Sequence, residues 1–381
     1  MKCALIVVLA ICSALPLPAV DTPCDVIVAR IESGGTALSR SLTGTLCTFA
    51  AKQRWIAAAD ADAVRTRNDL RVLLRKRSGQ DVIDAGAQMF VSFERAAGNS
   101  VGTTWQARDT DHYRLFVRPG SAAAQDLDLI AADAERSRAG LVEAFGLEPI
   151  LRSREAVVRT KQPAGIEHAQ PSNRIAIYLY ANRQDDTDKR VGPHSMGATS
   201  FSATIDESGR GRLQPSIHVL YYNPISLSVV EHEIAHTLVM MAAFDAAAID
   251  KPLSGAADLK RAFFAGYRPM PAFLNEGFAG YGLYYAGCYS AWGLLGSPEE
   301  LAVEGKLPPL DKLLRANHLD ARQSLAAATF LRYLMNIKGA EAVRQWLLSA
   351  DVASFQTIMG IAIDEAERGW LQRLRGARAS E

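Results

Sequence analysis

Apolar and polar positions follow clear periods along the chain after residue 107. Tyr113–Val117 has the alternation that is typical of a strand, and Pro119 with Gly120 forms a turn signal behind it. Over Leu127–Phe145 the apolar residues recur at helical intervals, and Gly146 follows as a C-terminal cap. We therefore predict a strand and then a helix in this region.

Two further strands are predicted downstream. Ile175–Tyr180 is a continuous apolar run, which is typical of a well-buried strand. Residues 216–222 also have strand character and are closed by a turn at Asn223 and Pro224. Between these strands, the Gly-, Ser- and Thr-rich segment 192–212 is predicted to be a loop.

The N-terminus has the pattern of an export signal. Lys2 supplies a positive end, and residues 3–15 form an apolar run that is too short to span a bilayer as a helix. We predict that residues 1–20 are a cleaved signal peptide and that the protein is secreted or periplasmic. A lipid anchor at Cys12 is disfavoured because Ile11 is bulky where a small residue is needed.

Composition narrows the classes of protein that remain. The chain has 49% hydrophobic residues and a net charge of +1, which excludes a disordered chain and gives no electrostatic basis for binding nucleic acid. No apolar run after the signal is long enough to span a membrane. Residues 21–106 are predicted to form a helical unit, in which Cys24 and Cys47 are the candidates for a disulfide in an oxidising compartment.

Residues 229–236, Val-Val-Glu-His-Glu-Ile-Ala-His, contain a His-Glu-x-x-His motif. With 7 histidines and 18 glutamates in 381 residues, about 0.006 such motifs are expected by chance. On a helix, His232 and His236 lie about 40° apart on one face, so both imidazoles can reach one metal ion. Glu233 projects beside them, as suits a base that removes a proton from metal-bound water.

The apolar residues around the motif also predict a helix. They form one stripe about opposite the two histidines, so that one face contacts the core and the other presents ligands. The stripe consists of Leu227, Val230, Ile234, Leu238 and Met241.

A third ligand is needed, since a catalytic zinc site commonly has three protein ligands and one water. Glu276 is an acid within the apolar segment 273–283, where a cation is its natural partner. Pro271 precedes a predicted helix that carries it. Gly277, Gly280 and Gly282 disfavour a helix, and close packing against the first metal helix is the predicted compensation.

The sequences 232–236, His-Glu-Ile-Ala-His, and 274–279, Leu-Asn-Glu-Gly-Phe-Ala, together resemble the active-site helices of the gluzincin zinc metallopeptidases. The resemblance implies that His232, His236 and Glu276 bind one Zn²⁺ ion and that Glu233 is the general base. It also implies an α+β fold of the thermolysin-like, two-lobed kind. In that fold, a small mixed sheet and the first active-site helix precede a helical lower lobe.

The chain differs from the aminopeptidase type of gluzincin. Its spacer of 39 residues between His236 and Glu276 is longer, and it lacks the Gly-x-Met-Glu-Asn segment that holds a free amino terminus. An endopeptidase is therefore favoured over an aminopeptidase, with a peptide or protein as substrate.

Gluzincins stabilise the oxyanion with a Tyr or His of the lower lobe, and four tyrosines are available for that role. Each is predicted to be a packing aromatic rather than a catalytic group. They are Tyr281, Tyr284, Tyr285 and Tyr333. The segment 324–338 resembles the closing helix of the group but lacks an early tyrosine. His218, in the strand that borders the cleft in this group, is predicted to face solvent.

Together these observations predict an exported zinc peptidase with four segments. These are the signal (1–20), the helical unit (21–106), an upper lobe with the sheet and first metal helix (107–245), and a helical lower lobe with Glu276 (246–381). The alternative from another class is a zinc-stabilised binding protein without turnover. Retention of Glu233 argues against that alternative, as does a set of only three protein ligands.

Overall fold

The computed structural model describes residues 104–155, 157–160, 163, 172–193, 195–222, 226–283 and 307–379. The predicted signal peptide and almost all of the helical unit 21–106 lie outside these residues. So do Cys12, Cys24, Cys47, Tyr284 and Tyr285.

A five-stranded mixed sheet forms the first part of the described chain. The spatial order is β1-β2-β3-β5-β4, in which the two central pairings, β2–β3 and β3–β5, are parallel and the two outer pairings are antiparallel. The strands are β1 (Gln106–Asp109), β2 (Tyr113–Val117), β3 (Ile175–Tyr180), β4 (Gly197–Ile205) and β5 (Gly211–Leu220). The strands predicted at β2 and β3 are confirmed, and all six residues of β3 are buried.

The loop predicted for 192–212 is wrong, because it contains β4 and the start of β5. The two strands pair from Gly197 opposite Val219 to Ile205 opposite Gly211. Asp206 stabilises the turn between them by accepting hydrogen bonds from the backbone of Ser208 and Arg210. Small polar residues are poor strand formers by themselves, and here the pairing with β5 outweighs that preference.

Within the described residues, three α-helices lie between β2 and β3 along the chain, and seven follow β5. They are α1 (Ala122–Gln125), α2 (Leu127–Phe145), α3 (Glu148–Glu155), α4 (Leu227–Ala243), α5 (Ala256–Gly266), α6 (Ala272–Tyr281), α7 (Leu310–Arg315), α8 (Ala321–Ser349), α9 (Phe355–Met359) and α10 (Ile363–Ala379). The helix predicted over Leu127–Phe145 is confirmed, and Gly146 ends it with a left-handed φ of +60°. β1, α1 and α3 were not predicted, and α5, α7, α9 and α10 were predicted only as parts of a helical lower lobe.

Helix α4 lies against the sheet and is surrounded by other helices. It contacts β4 and β5 on one side and α2, α6 and α8 elsewhere. All five residues of its predicted apolar stripe are fully buried. Because other elements cover nearly every side, α4 is held in one orientation along its whole length.

Two of the three glycines near Glu276 pack against α8 rather than against α4, which corrects the predicted reason for them. A Cβ at Gly277 would lie 3.0 Å from the Cβ of Ala327, and one at Gly280 would lie 2.9 Å from the carbonyl oxygen of Ser324. Gly282 alone approaches α4, where a Cβ would lie 3.0 Å from that of Ala235.

The C-terminal part of the described chain is helical. The segment 324–338 is a helix within α8, as predicted, and α8 is broken at Gly339, where φ is +83°. Asp320 and Gln323 form a capping box at its start. One hydrophobic cluster joins the sheet to α2, α4, α6, α8 and α10. The division of the chain at residues 107 and 246 stays a prediction.

None of the helices in the described ranges combines the length and apolar character that a membrane crossing requires.

Candidate metal centre

Helices α4 and α6 bring three metal-ligating side chains together. Nε2 of His232 and Nε2 of His236 are 3.0 Å apart. The two carboxylate oxygens of Glu276 lie 3.5 Å from His232 Nε2 and 3.6 Å from His236 Nε2. These ligand atoms form a possible metal-binding group, although 39 residues separate the second histidine from Glu276 in the sequence.

The spacing of the three groups fits a single metal ion. Ligands that each lie about 2.0–2.2 Å from a tetrahedral zinc are about 3.4 Å from one another. The two Nε2 atoms are 3.0 Å apart, and each has a different oxygen of the Glu276 carboxylate at 3.5 or 3.6 Å, so these separations are close to that value. One nitrogen of each imidazole and one carboxylate therefore point toward a common centre.

Asn275 sets the protonation of His236. Its Oδ1 lies 3.0 Å from His236 Nδ1. Because an amide oxygen can only accept, Nδ1 carries the proton and donates it. Nε2 is then the nitrogen with the free lone pair, and it faces His232 and Glu276. A second partner of this kind orients a histidine ligand and selects its tautomer.

Burial and the neighbouring charges prepare the ligands for a cation. Burial lowers the pKa of His236, and the adjacent His232 lowers it further, so the imidazole is held neutral. For Glu276, burial alone would raise the pKa, but the hydrogen bond to His232 and the nearby histidines outweigh it and leave the pKa below its usual value. Neutral imidazoles and an ionised carboxylate are the forms that bind zinc.

Glu233 lies on the same helix and turns toward strand β4. Thr199 Oγ1 is 2.8 Å from Glu233 Oε2 and 3.2 Å from its backbone carbonyl oxygen. Glu233 is only 6% exposed. Burial raises the pKa of its carboxyl, and the proximity of His236 and the hydrogen bond from Thr199 offset part of that rise.

A buried ionic group holds α4 just before the histidines. Arg136 of α2 donates to Asp133 at 2.7 Å and to Glu231 at 2.6 Å. Both carboxylates are fully buried. Since Glu231 directly precedes His232, the group ties α2 to the start of the motif.

Two of the tyrosines that were considered for the oxyanion role pack against other aromatic rings. Tyr281 packs edge-on against Phe145, with ring centroids 4.8 Å apart, and Tyr333 packs against Phe330. The packing role predicted for these two tyrosines agrees with these contacts.

The prediction that His218 faces solvent is wrong. His218 is 5% exposed, its Nδ1 lies 2.8 Å from the hydroxyl oxygen of Tyr180, and its Nε2 lies 2.9 Å from that of Ser216. Its ring stacks on that of Tyr178. The reason lies in the neighbouring strand: His218 pairs with Tyr178 of β3, and the rings of Tyr178 and Tyr180 stack on the imidazole and cover it.

Sequence reasoning missed Thr199 and Asn275. Asn275 directly precedes Glu276, so its position on the same helix was a usable signal. Thr199 had no such signal, because it contacts Glu233 only through the pairing of β4 beside α4.

Comparisons of the chain with protein families, with curated proteins and with solved structures found no match.

Proposed function

We propose that this protein is an exported zinc-dependent peptidase of the gluzincin type, with endopeptidase activity favoured. The observation that carries the proposal is the convergence of His232, His236 and Glu276 on one centre, with Glu233 on the same helix as the two histidines. Three protein ligands leave one tetrahedral position for a water or a substrate atom. The side chains of His232 and Glu276 are 18% and 22% exposed, so solvent reaches this group.

Each residue has a defined task in peptide hydrolysis. His232, His236 and Glu276 would hold the zinc, which supplies Lewis-acid polarisation of the scissile carbonyl and acidifies the attacking water. Glu233 accepts a proton from that water at a carboxylate oxygen and then gives it to the leaving amine. Its burial supports this role, because a raised pKa brings a carboxylate closer to the range in which a general base works best.

A zinc-stabilised binding protein without turnover is the second candidate. The packing of Tyr281 and Tyr333 against other aromatic rings favours it, because neither contact assigns these tyrosines to an oxyanion. The buried, oriented Glu233 argues for catalysis, since a purely structural site has no use for a base.

Metal analysis together with protein digestion tests the proposal. We expect about one zinc per chain, cleavage of an unfolded protein substrate, and loss of cleavage with a chelator. Glu233→Gln should keep zinc and lose activity by a factor of about 10² to 10⁴, whereas Glu276→Gln should lose zinc. Exposed Glu207→Gln, in the β4–β5 turn, is the matched control and should change neither.

The outcomes separate the two candidates. Zinc that is retained without any cleavage, in the wild type and in Glu233→Gln alike, would favour the binding protein. Absence of zinc from the wild type would contradict both candidates, because each depends on zinc bound at this site.

Peptides with acetylated amino termini decide between endopeptidase and aminopeptidase. Cleavage at internal bonds supports the endopeptidase. Cleavage that requires a free amino terminus and releases single residues would reverse that preference.

A further inference from the structure

Strand β4 contacts Glu233 at two positions on the same face. Thr199 donates from Oγ1 to Oε2 of Glu233 at 2.8 Å. Two residues earlier, Gly197 lies directly beside the other carboxylate oxygen. Residues i and i+2 of a strand share a face, so both positions point toward α4.

Gly197 is a close approach that needs the absence of a side chain. A Cβ there would lie 2.7 Å from Glu233 Oε1, 2.9 Å from its Cγ and 2.6 Å from Cγ1 of Val229. Separations under about 3 Å between such atoms are repulsive, so even alanine would displace Glu233 or move the strand away from α4. The glycine therefore makes the space in which the carboxylate lies.

The two contacts define the orientation of a flexible side chain. A glutamate side chain has several rotatable bonds, so holding it in one conformation costs conformational entropy. A site that orients the side chain in the folded protein does not incur that cost again during the reaction. Thr199 holds Oε2, and the space over Gly197 receives Oε1. Strand β4 thus restricts the carboxylate of Glu233, which is carried by helix α4.

We propose that Thr199 and Gly197 are positioning residues for Glu233: the hydroxyl of Thr199 holds Oε2, and Gly197 leaves the space that Oε1 occupies. This inference rests on the proposed peptidase function. It assigns to β4 a task beyond sheet formation, since the strand sets the geometry of the base while contributing no metal ligand.

Kinetics of three variants test the role of the hydroxyl. Loss of a hydrogen bond to a charged group should lower kcat of Thr199→Val roughly 10- to 100-fold. KM and zinc content should stay within about twofold of the wild-type values, because the substitution leaves the proposed zinc ligands unchanged. Thr199→Ser restores the hydroxyl and should recover kcat to within about threefold. Thr204→Val, on the same strand but on its opposite face, is the matched control and should leave kcat unchanged.

A thermal-unfolding cycle provides a readout that does not depend on activity. The Tm is measured for the wild type, Thr199→Val, Glu233→Ala and the double variant. If the hydroxyl acts on the carboxylate, Thr199→Val lowers Tm less in the Glu233→Ala background than in the wild type. Gly197→Ala combined with Val229→Ala, which removes the second clash, should lower kcat through Glu233 alone.

The possible results are distinct. Unchanged kcat in Thr199→Val, failure of Thr199→Ser to recover it, or additive Tm shifts would each overturn the inference. If the wild type cleaves no peptide, the proposed function fails. The Tm cycle then still tests whether Thr199 holds Glu233. Non-additive Tm shifts support that role, and additive shifts reject it.

Discussion

Nδ1 of His236 donates a hydrogen bond to Oδ1 of Asn275 across 3.0 Å, which links the second histidine of α4 to the residue that precedes Glu276 on α6. One contact therefore orients a candidate ligand on the first helix from the helix that carries Glu276, the third candidate. The two helices cannot slide past each other without breaking it.

Asn275→Leu should weaken zinc binding by about 10- to 100-fold, because the imidazole of His236 loses the acceptor that selects its tautomer. Competition with a chromophoric chelator measures the affinity. Asn275→Asp keeps an acceptor oxygen and should bind zinc more tightly than Asn275→Leu. Equal affinity in the wild type and Asn275→Leu would show that the contact plays no part in metal binding.

Arg136→Met should reduce the free energy of unfolding by about 3–5 kcal/mol, since it removes the cation from two fully buried carboxylates, Asp133 and Glu231. Urea unfolding measures the loss. Arg152→Met is the control, because Arg152 pairs with Glu148 on an exposed helix face and should cost less than about 0.5 kcal/mol. Similar losses in both variants would contradict a special role for the buried group.

Gly280→Ala should destabilise the protein by about 1–3 kcal/mol, because the new Cβ would lie 2.9 Å from the backbone carbonyl oxygen of Ser324 and would separate α6 from α8. Gly255→Ala is the matched control: no atom lies within 4 Å of a Cβ at that position. Thermal unfolding of the two variants compares them. A Gly280→Ala variant as stable as the wild type would show that the helices are not in close contact there.

His218 should make stability depend on pH in acid. Burial lowers its pKa to about 4 from the ordinary 6.5. Above pH 6.5 both the folded and the unfolded chain hold this imidazole neutral, so its contribution is complete. As pH falls from 6.5 to 4, the unfolded chain binds the proton first, and about 3 kcal/mol of stability is lost.

The variant His218→Asn isolates that effect from other titrating groups. Its free energy of unfolding should fall less than that of the wild type between pH 7 and pH 4. Parallel pH profiles for the two proteins would show that His218 is not held neutral in the fold.

Local sequence patterns predicted the elements whose signals are complete within a few residues. The apolar run of β3, the periodicity of α2 and its cap at Gly146 are of this kind. The spacing of His232 and His236 is another, since four residues on any helix place two side chains on one face. For Glu276, the motif resemblance predicted a ligand that the geometry now places 3.5 Å from His232.

Tertiary structure decided what depends on partners distant in sequence. β4 has a weak strand pattern and exists because it pairs with β5, and only that pairing brings Thr199 and Gly197 beside Glu233. His218 is buried because strand β3 places the rings of Tyr178 and Tyr180 against it. The sequence by itself determined which side chains share a helix face, since that follows from local geometry. Which side chains share a site depends on the order of strands and the packing of helices, and both are set by the burial of apolar surface across the whole core.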